Sequence, residues 1–205
     1  MLISFFEEYP VKDTLVLLKG LGWKPRLFIA ARDYEEFLRI AGTIPKNRAL
    51  ETVYWPVFKR EEGYWVSPFT RRKALMRLSR EGTGIASHAP LMIDAELPAS
   101  QNPWLFFSEA SLFFSNRRLI RNLICKRKGL TYTCEYYPEG ALWDKVLGAM
   151  GLSFSPASYH ISVIKMMYHS MHRFDEAFIR EEIQKGVHAF GDRFLIGLGT
   201  IAKGV

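Results

Sequence analysis

Short apolar runs of strand length alternate with amphipathic stretches of helical period along the whole chain. Ile3 to Glu8 reads as a first strand, and Pro10 opens a helix with Leu15, Leu18 and Leu21 on one side. That helix stops near Gly20 or Gly22. Arg26 to Ala31 is a second strand. Asp33 then caps a helix, with Glu36 completing a capping box and Phe37, Ile40 and Ala41 facing inward. Thr52 to Phe58 is a third strand, followed by a polar turn over residues 59–63 and an aromatic stretch, Tyr64 to Phe69. Thr70 is the expected cap of a helix through Leu75 and Leu78 to Gly82 and Gly84. Leu91 to Glu96 is the clearest strand. Too few residues separate it from Trp104 for a second parallel strand there, so Asn102-Pro103 predicts one long helix down to Lys128. Strands at Leu130–Tyr136, Tyr159–Tyr168 and Arg193–Gly199 alternate with helices at Glu139–Met150 and Arg173–Phe190.

Strands alternating with helices imply an α/β domain with a parallel sheet and right-handed crossovers. Seven such strands predict a TIM-like (β/α) barrel, incomplete by one strand against the usual eight, as a single domain over residues 1–205. A doubly wound open sheet is the alternative. An open barrel would leave a strand edge unpaired, which favours a homo-oligomer.

Composition narrows the class. A 205-residue chain with 48% hydrophobic residues can bury a sizeable core. Twenty-eight Lys and Arg against 21 Asp and Glu give a net charge of +7. The basic residues fall in short groups, Arg71-Arg72-Lys73, Arg117-Arg118 and Lys126-Arg127-Lys128, which read first as solvated helix faces. Nucleic acid therefore ranks last among partners, because net charge alone supports it. Cys125 and Cys134 form no metal or disulfide pattern and are expected as two buried free thiols, which fits the cytoplasm. The N-terminus lacks the basic region and cleavage site of a signal peptide. No run is long enough to span a bilayer, although the very apolar Trp104–Phe114 stretch leaves a membrane-surface contact open. Walker, GxSxG and HExxH motifs are absent, and no cofactor or metal is expected.

Sites in parallel βα proteins form at the carboxyl ends of the strands. Acids collect there: Glu7 and Glu8 on strand one, Asp94 and Glu96 on strand four, Glu135 on strand five. Residues two apart share a face, so Asp94 and Glu96 point the same way. Two close carboxylates raise one another's pKa, as a general acid requires. Tyr54, Trp55, Trp65 and Tyr136 are candidate stacking surfaces for a sugar, with ordinary core packing as the plainer reading. Tyr168 and His169 end strand six, and His169 is a candidate proton-transfer group.

Asp94-Ala95-Glu96 and Met166-Met167-Tyr168 together resemble two motifs of the family-18 chitinase barrels, D-x-E and M-x-Y-D. Ala89 and Met92 stand where that family has earlier aspartates, and His169 where it has the last Asp. The resemblance implies Glu96 as the acid, Asp94 as the residue orienting a substrate acetamido group, and Tyr168 as support for the intermediate. The expected function is a glycoside-hydrolase-like enzyme acting on a glycan. Glu135 or Glu7 would supply the second carboxylate of a two-carboxylate mechanism. A non-catalytic glycan- or protein-binding barrel and a metal-dependent phosphoester hydrolase are the rival readings.

Overall fold

A computed structural model describes residues 4–7, 16, 18–136, 141–168 and 176–199. The strands are β1 (Ser4–Glu7), β2 (Arg26–Ala31), β3 (Glu51–Pro56), β4 (Leu91–Ala95), β5 (Thr131–Tyr136), β6 (Ser162–Tyr168) and β7 (Phe194–Gly199). All six pairings are parallel and follow chain order, so β1 and β7 are the edges. The helices are α1 (Tyr34–Ala41), α2 (Arg72–Thr83), α3 (Phe113–Lys126), α4 (Ala141–Met150) and α5 (Glu176–Phe190). Right-handed crossovers between neighbouring strands put successive helices on one face, and the sheet curls around the other. The result is a seven-stranded half-barrel.

Both sheet faces are buried, which is why the strands read as nearly continuous apolar runs. Leu27, Ile29, Tyr54, Leu91, Ile93 and Val163 face the helices and pack on Phe37, Leu75, Leu78, Ile120 and Leu123. Phe28, Val53, Trp55, Met92, Tyr132, Cys134 and Ile164 alternate with them and fill the concave side. Each fully buried aliphatic side chain contributes about 1.5–3 kcal/mol relative to exposure.

The cap of α1 forms as its sequence dictates. Asp33 Oδ1 accepts from Glu36 N–H at 2.8 Å, while Glu36 Oε2 reaches back to Arg32 N–H at 2.9 Å. Thr70, in contrast, does not cap α2; Arg71 occupies that position without a side-chain cap bond. The Thr70 hydroxyl is drawn into the preceding loop, donating to Trp65 O at 2.7 Å and accepting from Ser67 N–H at 2.9 Å. The long helix expected from residue 102 to 128 is also broken. A single turn at Leu105–Ser108 and a 3-10 turn at Ala110–Leu112 precede α3. The break sits at Glu109, whose buried carboxylate accepts from Arg71 Nη1 at 3.0 Å and Arg72 N–H at 3.3 Å. Strand β6 starts later than expected because residues 155–159 form a turn, with Tyr159 N–H on Ser155 O at 3.0 Å. Cys125 is exposed rather than buried, since Ile124 and Leu123 take the inward side of α3. Part of the first expected helix lies outside the described residues; within it residues 16 and 18–20 are helical.

At the amino ends of the strands, two loops meet backbone to backbone. Gly129 N–H donates to Ser87 O at 2.8 Å, and a Cβ at Gly129 would stand 2.5 Å from His88 O. Arg127 fastens the same loops, donating to Gly82 O, Ala86 O and Ala89 O. Gly129→Ala must therefore force main chains apart, and should cost about 1–3 kcal/mol. Urea unfolding checks this; a midpoint equal to wild type would show that the loops separate freely.

Candidate active site at the carboxyl ends of the strands

Asp94 lies near the end of β4 at 3% exposure, in register with Cys134 of β5. Its alternation with Met92 places it on the concave side. The chain turns sharply there. Asp94 O accepts from Glu96 N–H at 3.2 Å and from Val66 N–H at 2.9 Å, so the 57–70 loop closes over the strand end. Glu96 follows, half-buried. Tyr136, two residues beyond Cys134, brings its phenol oxygen to accept from Leu97 N–H at 3.2 Å.

These groups sense one another. Burial pushes the Tyr136 phenol above its ordinary value, and the carboxylates of Glu96 and Asp94 push it further. Burial likewise raises the Cys134 thiol, with Asp94, Glu96 and Glu135 adding to it. A buried thiol so raised is a packing group and not a nucleophile. Asp94, Glu96 and Tyr136 thus form one electrostatic cluster at the mouth of the half-barrel.

The loop over this cluster is held by more bonds than its length requires. Gly63 (φ 117°) and Tyr64 (φ 60°) are both left-handed. For tyrosine that conformation costs on the order of 1–3 kcal/mol, which the surroundings must offset. Phe58 N–H bonds to Tyr64 O at 2.8 Å, and Tyr64 packs on the concave core with its ring 5.2 Å from Trp65, edge to face. From behind, Asn116 Nδ2 donates to Pro68 O at 3.0 Å and Thr70 O at 3.3 Å. With the Glu109 bonds to Arg71 and Arg72, this braces the loop against α3. The sequence offers no signal for Glu109 or Asn116, because their partners lie some 40 positions away in the chain. The Gly63-Tyr64 pair after the polar turn is the only local hint of Tyr64.

The remaining candidates scatter. Trp55 lies in the concave core, and its buried indole N–H meets no acceptor among the described residues. Trp65 is half-buried in the loop. Tyr54 sits on the opposite face under α1 and α2, donating to Glu81 at 3.2 Å, so it does not reach the mouth. Glu135 is one residue out of phase with Tyr136 and also turns to the helix side. There Lys165 Nζ lies 2.7 Å away, and the Thr133 hydroxyl and Phe154 N–H also donate to it. The sheet separates Glu135 from Asp94, and the structure does not bring the two together. Glu7 is in register with Ile29 on β2, and Tyr168 with Gly199 on β7. His169, Glu8, Tyr137 and His172 lie outside the described residues.

A cavity of about 940 Å³ occupies the hollow below the mouth, toward the amino ends of the strands. Arg26 lines it, 2.6 Å from Glu51 and over the Tyr132 ring, together with His160 and Arg193. Its wall rises to Ile164, which is in register with Cys134 and through it with Asp94. Among the described residues no three His, Cys, Asp or Glu cluster as a metal would need, and no helix is long and apolar enough to cross a membrane. No protein family, characterised protein or solved structure matches the chain.

Proposed function

We propose that the chain is a TIM-like barrel short of one unit, and that its mouth hydrolyses a glycan. The observation that carries this reading is the cluster of Asp94, Glu96 and Tyr136 at the carboxyl ends of the strands, under a fixed aromatic loop. Glu96 gives its proton to the glycosidic oxygen, and the departing sugar leaves with that hydrogen. Water then adds to the anomeric carbon and returns a proton to Glu96. Asp94, buried beside it, orients the substrate. Tyr136 lies within the field of both carboxylates, and Trp55 offers an indole N–H on the same concave side.

Removing Glu135 from the site has a mechanistic consequence. Asp94 and Glu96 remain, since Glu7 holds the register position of the helix-facing Ile29, which favours a substrate that supplies its own nucleophile. An N-acetylated sugar does so through its acetamido oxygen, in keeping with the resemblance of the D-x-E and M-x-Y segments to the family-18 chitinases. Reducing-end release from a panel of N-acetylated and plain glycans, with and without chelator, tests the reading. Cleavage of an N-acetylated member that survives chelation is expected. Binding without cleavage would indicate a glycan-binding barrel, and loss on chelation a metal enzyme.

A further inference from the structure

The segment from Trp104 to Phe114 folds into short turns and the first residues of α3 at the rim of the mouth, and three of its aromatic side chains are left in solvent. Trp104 and Phe107 are 75% exposed and Phe114 79% exposed. They are not scattered. The Trp104 and Phe107 rings are 5.9 Å apart. Phe106, Phe69, Phe113 and Phe114 form a second chain of ring contacts of 4.8–5.3 Å beside them in the sequence, half-buried at its base. Leu105 packs beside Gly63, and Asn102 Nδ2 reaches Glu61 O, so this rim belongs to the same end of the barrel as Asp94 and Glu96.

Along this segment and α3 the exposed charge has one sign. Between residues 97 and 134 the sole acid is Glu109, which is buried and tied to Arg71. The same stretch holds Arg117, Arg118, Arg121, Lys126, Arg127 and Lys128. On α3, Phe114, Arg118, Asn122 and Lys126 are all exposed and four residues apart, which makes one outward stripe with an aromatic anchor at its head. We propose that this rim and stripe dock the protein on an anionic membrane surface, with Trp104, Phe107 and Phe114 entering the interface and Arg118 and Lys126 lying on the headgroups. Aromatic rings favour the headgroup level, and cations beside them add attraction to anionic lipid. A protein partner fits less well. Three rings of 150–250 Å², three-quarters exposed, offer about 450 Å², against about 800 Å² per side in a standard interface. The geometry does not depend on the hydrolytic reading.

Flotation of the whole protein with vesicles tests it. Wild type should float with vesicles of phosphatidylcholine mixed with phosphatidylserine, poorly with phosphatidylcholine alone, and less as salt rises. The triple variant Trp104→Ala, Phe107→Ala, Phe114→Ala should lose about tenfold or more in partitioning with its circular dichroism unchanged, since the rings are exposed. Arg118→Glu, which leaves the rings in place, should lose a comparable factor on anionic vesicles only. Failure of wild type to float with anionic vesicles, or equal flotation by the triple variant, would overturn the proposal. So would self-association in the absence of lipid that the triple variant abolishes, which would assign the rim to a second copy of the chain.

Discussion

Lys165→Met is expected to destabilise the fold by about 3–5 kcal/mol at neutral pH, because it strands a carboxylate with no exposed surface in the helix-side core. Glu135 now accepts from Lys165 Nζ at 2.7 Å, from Thr133 Oγ1 at 2.6 Å and from Phe154 N–H at 2.9 Å. Even so, burial holds its carboxyl above the ordinary value; Lys165 is the largest of the opposing influences. The sign follows from proton counting. Between the unfolded pKa of about 4.3 and the raised folded value, the folded chain holds more protons than the unfolded one. Glu135 therefore makes stability fall as pH rises through that window. Loss of Lys165 raises the folded value further. The deficit of Lys165→Met should thus be large at pH 7 and shrink as pH falls toward 4. Urea unfolding at the two pH values checks this, and equal deficits would contradict it. Adding Glu135→Gln should recover much of the loss, since the neutral amide removes the stranded charge while its oxygen still accepts from Phe154 N–H and Thr133 Oγ1.

On the proposed hydrolytic reading, Glu96→Gln should lower glycan turnover by about 10²–10⁴-fold, the usual contribution of a positioned general acid. The amide keeps the shape of the side chain but carries no transferable proton of suitable acidity. Glu96 is half-buried and follows the last residue of β4, and the amide keeps its shape, so stability should change by about 1 kcal/mol or less. The separation of effects is the test: a loss of rate with unchanged unfolding and retained glycan binding supports a catalytic role. A matching loss of rate and stability would instead make Glu96 a structural acid.

The parallel half-barrel was legible because strands buried on both faces and helices buried on one leave different periods in the sequence. Leu91 to Ala95 and Arg26 to Ala31 show the first, and Phe37 in α1 the second. The break at Glu109 was not legible. Helical spacing continues through it, and only the distant Arg71 and Arg72 explain why a carboxylate turns inward there. Thr70 misled for a related reason, since its hydroxyl oxygen accepts from Ser67 N–H in the loop and not from the first turn of α2.

At the site, alternation from Met92 puts Asp94 on the concave face; the sequence reading did not apply it to Tyr136, which lies two residues from the concave Cys134. The same rule, applied to Glu135 and Tyr54, sends both to the helix side. Grouping Glu135 with Asp94 used only their position at strand ends and overlooked the pleat. The left-handed Tyr64 and its bracing by Asn116 depend on contacts between distant segments, which neither propensity nor period records.

On the proposed reading Asp94, Glu96 and Tyr136 act as one site, and the Tyr136 phenol reports on it without any substrate. Its titration can be followed by NMR with carbon-13 at the tyrosine ζ position, assigned through Tyr136→Phe. In wild type the phenol should titrate above the ordinary value of about 10, because burial and the two carboxylates all oppose its ionisation. In Glu96→Gln and in Asp94→Asn it should move down toward that value without reaching it, as burial remains. A Tyr136 titration indifferent to both substitutions would mean that the carboxylates and the phenol are not coupled, and the proposed active site would fall with that result.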